Sequence, residues 1–186
     1  YTALDTTVRV SVDAIVGPAS STVALSQLAD AVNPVNGVVT CSPSATSLAL
    51  DDYPDPNKLF FRTVPSDSMQ MAAIARRAQR TGEDTVAVGY LDDPYGRGLS
   101  DAFIAVAALD VQTTQGFGAD DDELTDVAEA LIAGDPGVIV VLGDADDGTR
   151  LLAALDEAIA AAGNDDPPQV IVNDAIHQGR QAIQAL

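Results

Sequence analysis

The chain has 186 residues, 47% of them hydrophobic, and its 28 acidic side chains against 9 basic ones give a formal net charge of −19. That length and apolar content suffice for one folded domain or two small ones, and a negative field of this size repels nucleic-acid phosphates and anionic lipid surfaces. A single cysteine, Cys41, excludes an intrachain disulfide and a cysteine metal cluster, and no run approaches the roughly 20 apolar residues of a membrane span.

In chain order, YTALDTTVRVSV at the start carries no clear period. DAIVG (Asp13–Gly17) reads as a first strand, and VALSQLADAV after VGPASST has helical spacing. Two more apolar runs follow, GVVTC (Gly37–Cys41) and LFFRTV (Leu59–Val64). In SDSMQMAAIARRAQRTG, Met71, Ile74 and Ala78 recur at helical spacing, with Ser66 or Asp67 as N-cap and Gly82 as the stop. Strand runs TVAVGY (Thr85–Tyr90), VQTTQGF (Val111–Phe117), GVIVVLG (Gly137–Gly143) and QVIVND (Gln169–Asp174) then alternate with helical stretches ending at Gly134 and Gly163. Short β-branched runs separated by amphipathic stretches predict βαβ units on a parallel sheet, hence an α/β fold. Pro65 interrupts the apolar run just before a fresh helix, so TVPSDS marks a crossing between two domains, 1–65 and 66–186.

Polar clusters fall at the carboxyl end of five of these strands: Ser20-Ser21, Ser44-Ala45-Thr46, Asp93-Pro94-Tyr95-Gly96, Asp144, and Asn173-Asp174. Open α/β sheets bind ligands outside those ends, although βα loops are polar in any case. Ser20 and Ser21 can cap a helix, or can seat a small anion with the first N–H groups of that helix. His177, the one histidine, has no partner in the pattern for a catalytic triad and reads as a surface residue. The acidic runs GADDDE (Gly118–Glu123) and DADD (Asp144–Asp147) lack the alternation and closing Glu of a calcium loop, and read as helix N-terminal charge. No Gly-rich dinucleotide fingerprint and no phosphate loop is present, so no cofactor is expected.

The series VGPASSTVAL, CSPSATSLAL, FFRTVPSDSMQ and DDPYGRGLSDAF resembles, in order and spacing from about Val12 to Asp174, the substrate-binding proteins of branched-chain amino-acid ABC transporters. It also resembles the related ligand-binding ectodomains of metabotropic glutamate receptors. The resemblance implies a type I periplasmic-binding fold, two doubly wound parallel-sheet lobes joined by a hinge, here with the first lobe incomplete at its start. It implies a non-enzymatic, extracytoplasmic protein that closes on an amino-acid-like ligand and delivers it to a membrane permease, or a sensor built on the same module. Ser20 and Ser21 match the family serines that hold the ligand carboxylate. Ser44, Ala45 and Thr46 match the stretch that completes the seat and touches the α-ammonium. Tyr95 matches the aromatic of the second lobe, and Asp174 falls where the family places an acid for the ammonium. Asp144 and Ala145 stand where many relatives carry an aromatic, which implies a side-chain pocket less apolar than leucine or valine would favour. A serine hydrolase on a similar sheet lacks its base, because a nucleophilic serine needs one within hydrogen-bond reach.

Overall fold

The computed structural model describes residues 12–31, 37–118, 121–163 and 165–177. The readings placed on the patternless start, on the end of VALSQLADAV, on part of the GADDDE run and on the terminal QGRQAIQAL therefore lie outside the described residues. The described chain forms two compact units, within Tyr1–Asp67 and within Ser68–Leu186.

The first unit holds strands β1 (Ala14–Val16), β2 (Val39–Ser42) and β3 (Phe60–Arg62) in a parallel sheet of order β1-β2-β3. Helix α1 (Ser21–Ala31) follows β1, and a 3-10 turn (Leu48–Leu50) follows β2. One sheet face is covered by Ala24, Leu28, Ala45 and Leu50, with Leu25, Tyr53, Leu59 and Phe60 packed around them. On the other face Val16, Val39 and Phe61 are exposed.

The second unit contains most of α2 (Asp67–Gln79), then β4 (Thr85–Leu91), α3 (Pro94–Val106), β5 (Asp110–Phe117), α4 (Asp121–Ile132), β6 (Val138–Leu142), α5 (Ala145–Ala162), β7 (Gln169–Val172) and a helical turn at 174–177. Its sheet is all parallel in the order β5-β4-β6-β7. Helices cover both faces, which explains why β4 and β6 read as continuous apolar runs. Val86, Val88, Val138, Val140 and Leu142 pack with Met71, Ile74, Leu99 and Phe103 of α2 and α3. Their neighbours Ala87, Leu91, Ile139 and Val141 pack with Leu124, Leu131, Leu151 and Leu155 of α4 and α5. The period-2 alternation of a strand thus divides each central strand between two cores.

The chain steps from β4 outward to β5, then returns across β4 to β6 and on to β7. The reversal lies between the carboxyl ends of β4 and β6, the position at which doubly wound sheets open a crevice. Asp92 to Tyr95 leave one side of it, and Gly143 and Asp144 the other.

Gly96 lets α3 start hard against the end of β4. A Cβ at this position would collide with the Leu91 carbonyl oxygen, which is backbone and cannot rotate away. Gly96→Ala is expected to destabilise the second unit by about 1–3 kcal/mol, the usual cost of overpacking. Urea unfolding of the intact protein checks this, and an unchanged midpoint would show that α3 can shift freely.

Candidate functional site

Peptide groups at the ends of parallel strands leave the ladder and must be satisfied by the loops that follow. In the first unit serine hydroxyls do this. The buried Ser42 at the end of β2 donates to the Pro18 carbonyl at 2.6 Å and accepts from the N–H groups of Ala45 at 2.9 Å and Ser44 at 3.4 Å. Ser44 donates to the Ala19 carbonyl at 2.9 Å. Ser21 accepts from the N–H groups of Thr46 and Ser47, each at 3.1 Å. The loops after β1 and β2 are thereby laced into one surface.

Counting protons and lone pairs separates the roles. A hydroxyl has one donor and two acceptor positions. Ser21 has used both lone pairs, so it has only its O–H to offer, to an anion or another acceptor. Ser44 has used its proton, so its exposed oxygen can only accept, from a cation or an N–H. Ser20, exposed, meets the Val23 N–H at the long distance of 3.5 Å, and its carbonyl accepts from Ala24 at 2.8 Å as the cap of α1. Thr46 has its N–H on Ser21 and its carbonyl on the Asp67 N–H at 3.0 Å, which leaves its hydroxyl as the group it can present. Ala45 is fully buried, with its methyl in the core and its N–H on Ser42, so it contributes packing rather than a polar contact. The first turn of α1 contains no acid, and the positive end of its dipole is left to these hydroxyls.

Behind this loop stands Arg62, the last residue of β3. Its Nη1 reaches the carbonyl oxygens of Thr46 at 3.0 Å, Ser47 at 3.1 Å and Ala45 at 3.5 Å, while Nη2 is paired with Asp51. Asp51 also accepts from the Ser66 hydroxyl at 2.6 Å.

The rim of the second unit has the opposite character. Asp93 caps α3 through the Gly96 N–H at 2.7 Å, and Asp144 caps α5 through the Asp147 N–H at 2.9 Å, so both helix N-termini there are already occupied by carboxylates. Tyr95, half-buried in the first turn of α3, accepts from Asn173 Nδ2 at 3.2 Å. The buried Asn173 also donates to the Gly143 carbonyl at 2.8 Å and accepts from the Gly143 N–H at 3.3 Å, which ties the ends of β6 and β7 to the tyrosine. Asp174 follows on the surface, its carboxylate on the Ala175 N–H at 2.9 Å. Burial, then the carboxylates of Asp144, Asp146 and Asp93, push the Asp147 carboxyl above its ordinary range.

Thus Ser20, Ser21, Ser44 and Thr46 share one surface of the first unit, and Tyr95, Asp144 and Asp174 lie at the strand ends of the second. Three supporting residues were not assigned roles from the pattern. Ser42 and Asn173 each end an apolar strand run with an inward polar side chain, a position where a buried group must find partners. Arg62 is one of only 9 basic residues and sits inside a strand.

Three outcomes are expected. Asn173→Ala leaves the Gly143 peptide group unpaired in a buried setting and should cost about 2–3 kcal/mol in chemical unfolding. A cycle with Tyr95→Phe should show coupling between the two sites, and strict additivity would mean that the 3.2 Å contact holds nothing. Because the Asp147 carboxyl is raised in the folded state, its contribution is present below the ordinary carboxylate range and lost as pH rises through the raised value. Asp147→Asn should therefore gain stability relative to the parent as pH rises from the ordinary carboxylate range through the raised value, measured by unfolding at each pH. A relative loss over that window would reverse the sign.

Comparison with known proteins agrees with this architecture. The periplasmic binding protein family matches residues 3–185. An ABC transporter substrate-binding protein from Desulfitobacterium hafniense superposes with a TM-score of 0.72 at 20% identity, over 92% of this chain and 49% of that one. A structure of such a protein from the same organism in complex with Leu gives 0.71 at 21%, over 92% and 50%. An extracellular ligand-binding receptor from Rhodopseudomonas palustris HaA2 gives 0.76 at 19%, over 92% and 47%. The chemotactic signal transduction system substrate-binding protein BasB of Halobacterium salinarum is 26% identical over 133 residues, 70% of this chain and 32% of its own length. The chain spans about half the length of the solved proteins and a third of the curated relative. At these identities the solved structures share the fold, the type I periplasmic-binding arrangement of parallel sheets and helices. The residues matched run almost from end to end, and the chain belongs to the periplasmic binding protein family, whose members bind substrates and are not enzymes.

Proposed function

We propose that this chain carries the ligand-capturing part of an extracytoplasmic solute-binding protein, that its ligand is a free amino acid or a similar small zwitterion, and that the protein hands it to an ABC permease. The observation that carries the reading is the pair of hydroxyls on one surface: a donor-only Ser21 suits a carboxylate, and an acceptor-only Ser44 suits an ammonium. The solved relative in complex with Leu is in keeping with a ligand of this class. In this reading the first unit seats the ligand, and Tyr95 and Asp174 of the second close on it, the tyrosine ring and the carboxylate both favouring the ammonium end. Asp144 makes the side-chain pocket more polar than a leucine would favour. Among the described residues no helix is long and apolar enough to cross a membrane.

A second reading, the same module in a sensor, is favoured by the chemotactic role printed in the name of the Halobacterium salinarum relative. Both readings make the same binding site, and they differ in the partner that reads the closed form.

A thermal-shift panel of the twenty amino acids on the intact protein tests the ligand class, since a ligand at a hundred times its dissociation constant adds about 2.7 kcal/mol to stability. At least one amino acid should raise the melting temperature. A flat panel would overturn the assignment. With the amino acid found, Asp174→Ala should weaken binding by about tenfold or more, the loss of one charge-assisted hydrogen bond, while Asp156→Ala on the exposed face of α5 should not. Equal losses at both positions would indicate a general effect of the acidic field. Small-angle scattering should show compaction of the parent with that amino acid and none for Tyr95→Ala.

A further inference from the structure

The two peptide groups between Ala45 and Ser47 are held at both ends. In the first, the Ala45 carbonyl lies 3.5 Å from Arg62 Nη1 and the Thr46 N–H lies 3.1 Å from Ser21 Oγ. In the second, the Thr46 carbonyl accepts from the same Nη1 at 3.0 Å and the Ser47 N–H donates to the same Oγ at 3.1 Å. Each peptide dipole therefore has its negative end on a guanidinium and its positive end on one hydroxyl oxygen. The Arg62 side chain is only 15% exposed, and Asp51 pairs with Nη2 rather than with the nitrogen that faces the loop.

Hydrogen bonds in series polarise one another, and more strongly where water is excluded. Drawing electrons along two parallel peptides makes the Ser21 O–H a better donor without placing a cation in the ligand's path. We infer that Arg62 is a positioning and polarising residue that sets the preference of the binding surface for a carboxylate over a neutral acceptor, acting through the Ala45–Ser47 peptides on Ser21. This rests on the reading that Ser21 meets the ligand's carboxylate. It assigns Arg62 a function that its place inside a strand conceals. A merely structural arginine would hold the loop and affect all ligands alike. A polarising one changes the ratio between ligands of different charge.

The experiment measures that ratio by calorimetry on the intact protein, using the twenty L-amino acids and their carboxamides as the panel. The parent should bind at least one acid, and should prefer it over its amide by about tenfold or more, the scale of one charge-assisted against one neutral hydrogen bond. In Arg62→Gln that preference should fall to about threefold or less with the amide's affinity nearly retained, and Arg62→Lys should recover most of it. Asp51→Asn, which removes the counter-charge while leaving an oxygen for Nη2, should preserve or enlarge the preference. Equal loss of acid and amide in Arg62→Gln, or an unchanged ratio, would overturn the inference. If Arg62→Gln does not fold, judged by its melting curve, Asp51→Asn decides, and a reduced preference there would overturn it. A parent that binds no member of the panel would instead overturn the solute-binding reading, and this inference with it.

Discussion

A peptide group that leaves a parallel sheet at its carboxyl end has lost its ladder partner, and in a loop packed against the sheet it must find another. That requirement organises both units. In the first, the hydroxyls of Ser42, Ser44 and Ser21 join two loops by donating to carbonyls or accepting from N–H groups, and Arg62 takes the carbonyls on the other side. In the second, Asn173 performs the equivalent service for Gly143. The polar surfaces that remain are by-products of this accounting of donors and acceptors. A hydroxyl that has spent its lone pairs can only donate, and one that has spent its proton can only accept.

Helix dipoles sharpen the contrast between the rims. In βα units the helix N-terminus points toward the strand ends, which gives each rim a positive bias unless an acid neutralises it. Asp93 and Asp144 neutralise it in the second unit, where Asp147 titrates upward among its neighbours. Helix α1 follows Ser20, begins with Ser21 and has no such acid in its first turn. A rim of hydroxyls and a rim of carboxylates thus arise from the choice of capping residue, with few charges committed to the task. The net charge of −19 is largely separate from this, since among the described residues most acids are exposed to solvent.

The α/β class, the alternation of elements and the strand-end positions of the polar clusters were legible because they rest on local periodicity and on turn chemistry. Strand bounds moved by one or two residues: GVVTC gave way to Val39–Ser42 and LFFRTV to Phe60–Arg62, because pairing with neighbours rather than hydrophobicity ends a strand. The stretch SPSATSLAL holds only a 3-10 turn, as its loop is claimed by Ser21 and Arg62 before a helix can start.

By itself, the sequence determined which residues stand at strand ends, that Gly163 closes a helix, and the family to which the order of motifs belongs, since each of these depends on neighbours close along the chain. Tertiary structure alone decided what those residues have left to offer. Ser21 finds its two N–H donors 25 and 26 residues away, Arg62 finds its carbonyls 15 to 17 residues back, and Asn173 reaches Tyr95 across 78 residues. Hydrogen-bond partners that distant carry no periodicity, so whether a serine donates, accepts or merely packs is fixed only when the strands have brought the loops together.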